Sequence, residues 1–463
     1  MVDASFGGLL KQTGLPVSKF AQRLNAAAAA AGLRDEVHPK TPYKWIKGEV
    51  PAREHWRALC VSVLSQELGR RVTLADLGWP EDEEKAEHLP AVDGLDTTWD
   101  AEGALRALHA LTDAGDVHRR HLLLLLGASI TAPAHEWLLA HPVGDVTRST
   151  GTAVSVEVVD HLDQITASLR RMDDRGSGGD LLALIRESLR YVTGLLDTHR
   201  YTDSVGRRLH ATAGELLRLG GFSAFDAGQH SLAQRYFVAA LHSAQTAGDR
   251  ALGANVLGFM SCQAKDLGGG REAVLLAETA RAGYPGASGT VSAILALRAA
   301  EAYATDRTAS AARRETDTRA AIDDAFTALD KTAAPSSGTP AWSYWMTPSQ
   351  AHAQAGFCYL RIGDHSRARN HLHRSLQSQG TDYSREHALR DVLLATTYQQ
   401  QPRPDIAQAL VHGNQAVDLL TTEVDSPRCV GHLGALVTGL GPYRRSPGVT
   451  DFIQRARPVL TAA

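Results

Sequence analysis

Residues 214–241 read GELLRLGGFSAFDAGQHSLAQRYFVAAL. Two helical patterns face each other across a turn at Gly228. Gly221, Ala233 and Ala240 are small where the helices would cross closely, and Phe237 is large enough to fill the space beside them. Residues 349–376 repeat the arrangement with Gly356, Tyr359, Gly363, Ala368 and Leu372. Weaker copies follow Ala254 (Gly268, Ala273) and Ala388 (Tyr398, Pro402, Ala407). The turns fall at 228, 268, 363 and 402, so the clear steps are 268 − 228 = 40 and 402 − 363 = 39. Between 283 and 342 the register is lost. Units of this kind stack side by side, bury one continuous core and leave a concave groove.

The small-and-aromatic spacing resembles the tetratricopeptide repeat, with helices longer than the roughly 34-residue unit allows. The resemblance implies an α-solenoid that binds through the inner faces of its first helices. Carried onto this sequence, the groove candidates are Arg218, Phe222, Phe225, Asn255, Lys265, Phe357 and Arg361. Aromatic and cationic side chains together suit a peptide, a small molecule, a lipid-like signal or an acidic protein segment.

Composition agrees with helix throughout. The chain has 463 residues, 43% hydrophobic and 21% charged. Alanine, leucine and arginine are abundant, and alternating β-branched runs are few. The length calls for two or three domains: a head over 1–80, an acidic linker with connecting helices over 81–145, and the repeat array over 146–463. The longest apolar run, 121-HLLLLLGASI-130, is too short to span a bilayer. With no cationic, apolar signal segment at the start, a cytoplasmic protein is expected. Cys60, Cys262, Cys358 and Cys429 are widely separated and read as buried, reduced thiols.

Net charge is −3 and gives no sign of a polyanion partner. Its distribution does. Residues 1–80 carry eleven Lys and Arg against seven Asp and Glu, an excess of 11 − 7 = 4. The next stretch, 81-EDEEKAEHLPAVDGLDTTWD-100, is acidic. Within the head, helices are expected over Ser5–Gln12, Val17–Ala31 and Arg53–Gly69, the last with Trp56, Leu59, Cys60, Val63 and Leu64 on one face. Between them lies 40-KTPYKWIKGEVP-51. Thr41 suits an N-cap, Pro42 the first helical position and Gly48 the stop. Trp45 and Ile46 are expected to face the core. Lys40, Thr41, Tyr43, Lys44 and Lys47 are then the polar groups available to a DNA major groove. The segment has no Arg, Asn or Gln, so bidentate base reading is not obvious.

This run resembles the recognition helix and closing turn of Cro/repressor-type (XRE) helix-turn-helix domains. The wider pattern comprises 21-AQRLNAAAAAAGL-33, 68-LGRRVTLADLGW-79, 99-WDAEGALRAL-108, 131-TAPAHEWL-138 and then the repeats. It is similar to actinobacterial helix-turn-helix/tetratricopeptide regulators of the Nsd type. The resemblance implies a DNA-binding transcriptional regulator of development or secondary metabolism that acts as a homodimer. The link before the third helix is about ten residues longer than a tight helix-turn-helix has.

Other chemistry is poorly supported. His118 and His121, and His371 and His373, lack the further ligands zinc wants. The glycine runs 176-GSGG-179 and 268-GGG-270 have no following Gly-Lys-Ser/Thr. Neither G-x-S-x-G nor H-E-x-x-H occurs. The stretch 81-EDEE-84 reads as a solvated linker. No enzyme, cofactor or metal is expected. The rival reading is a protein-interaction adaptor whose helix-turn-helix is vestigial.

Overall fold

The computed structural model describes residues 5–30, 36–51, 54–68, 72, 75–79, 97–112, 124–125, 128–174, 178–331, 338–378, 384–424 and 426–462. The acidic stretch 81–96, His118 and His121 lie outside them. Among the described residues the chain is all-α, and its β pairing is confined to two isolated bridges, Arg148 with Tyr201 and Ala153 with Arg200.

The head holds α1 (Phe6–Gln12), α2 (Val17–Ala30), α3 (Pro42–Ile46) and α4 (Glu54–Leu68), then a 3-10 turn over Ala75–Leu77. Ser5 caps α1 by accepting from the Gly8 amide at 3.1 Å. The core is aromatic: Phe6 stacks on Trp79 at 5.2 Å, and Phe20 and Trp45 meet Phe6 edge-on. Trp56, Leu59, Cys60, Val63 and Leu64 are all buried, as the spacing of α4 requires.

Among the described residues seven helical pairs follow. These are α7 (Val156–Asp174) with α8 (Gly178–Thr198), α9 (Asp203–Asp226) with α10 (His230–Ala247), and α11 (Arg250–Asp266) with α12 (Gly270–Gly283). Next come α13 (Gly289–Thr305) with α14 (Ala311–Asp330), α15 (Pro348–Arg361) with α16 (His365–Gln377), and α17 (Ser384–Gln400) with α18 (Ile406–Thr422). The last is α19 (Pro427–Gly439) with α20 (Val449–Ala462). The first helices of successive pairs from α9 onward stack against one another and form the inner layer. A Cβ on Gly221 would stand 2.5 Å from the Phe237 ring, and one on Gly356 would stand 2.6 Å from Leu372 Cγ. Glycine is therefore what lets these hairpins close. The turns at Gly228, Gly268 and Gly363 use positive φ, which glycine adopts without strain.

The stretch with no legible register, 283–342, holds a full hairpin. Its turn uses no glycine. The Asp306 carboxylate instead accepts from the Thr308 amide and hydroxyl at 2.9 and 2.7 Å, and the Ser310 side chain caps α14. After α14 a connection carries a 3-10 turn, Ala341–Trp345, before the next pair begins.

Between head and array lie α5 (Ala101–Thr112) and α6 (Ala128–Leu139). They pack on the outer layer, α5 on α8 and α10, α6 on α10 and α12, and belong to the array's own core. Pro133 lies inside α6, where it gives up one backbone hydrogen bond near the helix start, and it is itself buried. Trp137 of α6 is fully buried where Gly253 and Gly283 leave room for its ring. On its other side α6 meets α4 of the head. Among the described residues no helix is long and apolar enough to cross a membrane. All four cysteines are buried and free.

Candidate functional site

Two regions hold the candidate residues. In the head, the Asn25 side-chain amide donates to the Val37 carbonyl at 3.0 Å and its oxygen accepts from the Val37 amide at 2.7 Å. That pair ties the long connection to α2 and fixes where α3 begins. α3 is five residues long, with Pro42 and Trp45 buried beneath it. Thr41 opens the helix but its hydroxyl makes no capping bond, because its backbone is already helical. Ile46 is not a core residue: it is 40% exposed and lies over α1, where a Cβ on Gly7 would be 3.2 Å from its Cγ2. Lys40, Tyr43, Lys44 and Lys47 are exposed and Thr41 is half-buried. The three lysines make no ion pair among the described residues.

The second region is the interior of the array. The solenoid winds until its late pairs return to its early ones. Arg385, at the start of α17, lies 3.5 Å from Asp173 of α7 and 3.8 Å from Asp226 at the end of α9. Ser426, capping α19, donates to Asp226 at 3.1 Å, and Arg428 lies 3.5 Å from Asp266 of α11. These contacts bridge the groove and make it a chamber of about 1050 Å³ including its mouth. A second and larger chamber, of about 2020 Å³ including its mouth, adjoins it and shares Lys265, Phe357, Arg428 and His432.

Seven cations line the main chamber: Arg170, Arg218, Lys265, Arg298, Arg385, Arg390 and Arg428. Four carboxylates face them: Asp173, Asp174, Glu301 and Glu386. Most of the cations have charged partners. Arg170 pairs with Glu215, and Lys265 sits 3.0 Å from Asp266 and 3.6 Å from Glu301. Burial opposes both charges of the Lys265–Asp266 pair. The cations Lys265 and Arg428 nonetheless hold the Asp266 carboxyl down at about 2, and Asp266 and Glu301 hold the Lys265 amine up. Burial pushes Asp226 up, against Arg385 and Arg428. It pushes the His432 imidazole down to about 3, helped by Arg428, so that ring is neutral.

Arg218 differs. It is 6% exposed, and among the described residues it makes no hydrogen bond or ion pair. Burial lowers its pKa, though a guanidinium stays charged. Its contact is the Phe259 ring, 5.5 Å from the guanidinium carbon. Arg298 lies over the same ring at 5.2 Å, and Lys265 and Arg361 lie 4.6 and 4.9 Å from the Phe357 centroid. Arg390 donates to Ser349 Oγ at 3.1 Å and Gln350 Oε1 at 2.6 Å. Gln354, one turn before Phe357, is buried, and neither atom of its amide has a hydrogen-bond partner.

The expected groove residues divide as follows. Arg218 and Phe222 line the main chamber, Phe225 and Arg361 the adjoining one, and Lys265 and Phe357 both. Asn255 lines neither: it is buried within α11, turned away from the chambers. Arg298, Glu301, Gln354, Arg385, Arg390 and Arg428 were not expected. Arg298 and Glu301 sit in the hairpin whose glycine-free turn hid its register. Arg385 and Arg428 act across roughly 160 to 210 residues, a pairing no local spacing encodes. His371 lies 3.0 Å from His352, and His373 reaches the Tyr398 hydroxyl at 3.1 Å. Among the described residues no group of three His, Cys, Asp or Glu side chains could hold a metal ion.

A family model described as the SP15 N-terminal domain matches residues 7–80, the head from α1 to just past Trp79. No curated protein and no solved structure matches the chain.

Proposed function

We propose that the chain is a DNA-binding transcriptional regulator: the head binds operator DNA, as a dimer on two half-sites, and the array receives a signal in its chamber. The observation that carries this reading is the exposed set Lys40, Tyr43, Lys44 and Lys47 on and around a helix anchored by Trp45. These lysines have no carboxylate partner among the described residues, whereas most cations of the chamber do. Free cations on a rigid helical edge suit a phosphate backbone, and Tyr43 and Thr41 can hydrogen-bond to phosphate or base. With α3 so short, contacts come from its first turn and from Lys47 just beyond its end.

The contact between α4 and α6 supplies a route from array to head, since α6 is wedged into the outer layer by Trp137. A ligand that binds two windings of the array unequally shifts DNA affinity through it.

The test is capture and sequencing of genomic fragments by the full chain and by its Lys44→Ala/Lys47→Ala variant. A recurrent, roughly palindromic site is expected for the native chain. The variant should bind that site about tenfold more weakly or worse at moderate salt, with a salt slope lower by roughly two. Capture of no sequence by the native chain would move the function to the array alone, as an adaptor.

A further inference from the structure

We infer that the main chamber is a receptor site for a small organic anion with a flat, apolar body, held through Arg218 and Gln354. The inference rests on the reading of the array as the part that receives a signal, and names the chemistry of that signal.

Two independent observations point to an absent ligand. Arg218 is a buried guanidinium that makes no hydrogen bond or ion pair among the described residues, Glu215 and Asp173 acting on it only from a distance, so its N–H donors are left without an acceptor. Gln354 is a buried amide whose donor and acceptor are both unused, although native interiors satisfy nearly all such groups. Both line the same space. An anionic group at Arg218 and a polar group at Gln354 would complete both. Phe222, Phe259 and Phe357 line the same space, with the Phe222 and Phe259 ring centroids 5.3 Å apart. Such rings suit a planar apolar body.

The geometry also selects against a long peptide. An extended chain needs an open groove to lie along, and here the groove is bridged by Arg385 with Asp173 and Asp226, and by Ser426 with Asp226.

The probe is 8-anilinonaphthalene-1-sulfonate, a flat aromatic anion, titrated by fluorescence into the full native chain. Its uncharged counterpart, N-phenyl-1-naphthylamine, is titrated in parallel. One saturable site per chain is expected, with the anion bound at least tenfold more tightly. Arg218→Met should weaken the anion about tenfold and leave the neutral dye unchanged. Gln354→Leu should also weaken the dye without lowering the melting temperature. Equal affinity of native chain and Arg218→Met for the anion would overturn the inference. So would displacement of the dye by an acidic heptapeptide but not by 2-naphthoate, which would make the chamber a peptide groove. Neither measurement involves DNA, so loss of this inference leaves the head's role standing, and loss of DNA capture leaves the chamber's ligand standing.

Discussion

At the scale of single residues, small side chains and buried polar groups set what this chain tolerates. Gly221 has no room for a methyl group beside Phe237. Gly221→Ala is expected to lower stability by about 1–3 kcal/mol, because the ring must shift in a packed interior. Urea unfolding measures this, and an unchanged midpoint would show that α9 and α10 are not in close contact there. His210 makes a second case. Burial, with Arg207 nearby, depresses its imidazole to about 4, against 6.5 when unfolded. Between those values the unfolded chain takes up a proton that the folded chain refuses, so stability falls as pH drops through this window. At pH 5 the loss from His210 is about 2 kcal/mol. Buried carboxyls such as Glu215, whose pKa is raised by burial, act in the opposite sense. The measurement is therefore a comparison: unfolding midpoints at pH 7.5 and 5 for the native chain and for His210→Gln. The variant should lose less on acidification. An equal loss would mean that His210 is protonated in the fold.

At the scale of elements, α3 is too short to persist by itself, since isolated helices need a dozen or more residues. Its position is held by Trp45 below and by the Asn25–Val37 pair before it. Asn25→Ala leaves a buried backbone amide and carbonyl unpaired and should cost about 1–3 kcal/mol in the head. If α3 carries the DNA contacts, the variant also weakens binding while leaving every lysine in place. A variant that binds the same site as tightly as the native chain would place the contacts elsewhere. The helices themselves were legible in the sequence because capping and stop residues sit at their ends, such as Ser5, Pro42 and Gly48. Ile46 was misread because in so short a helix one buried aromatic is enough to anchor it, and the neighbouring apolar side chain covers α1 from outside. The pair α13–α14 was illegible because an Asp–Ser turn replaced the glycine that marked the others.

At the scale of the whole molecule, the array is held closed by charge. Arg385→Met would leave Asp173 and Asp226 buried with their shared cation gone. The expected cost is about 3–5 kcal/mol, and the released late pairs should raise the radius of gyration seen by small-angle X-ray scattering. Unchanged scattering and stability would mean that packing alone holds the closure. The sequence by itself determined that this chain is helical, where its turns fall, and which inner-face positions carry aromatic and cationic side chains. Those are properties of neighbours a few residues apart, and periodicity and capping record them. Only the tertiary structure decided that the groove is bridged into a chamber, that Asn255 lies outside it, and that Arg218 and Gln354 line one space without hydrogen-bond partners among the described residues. These depend on how a small rotation per hairpin accumulates until residues about two hundred apart meet, and no local pattern stores that sum.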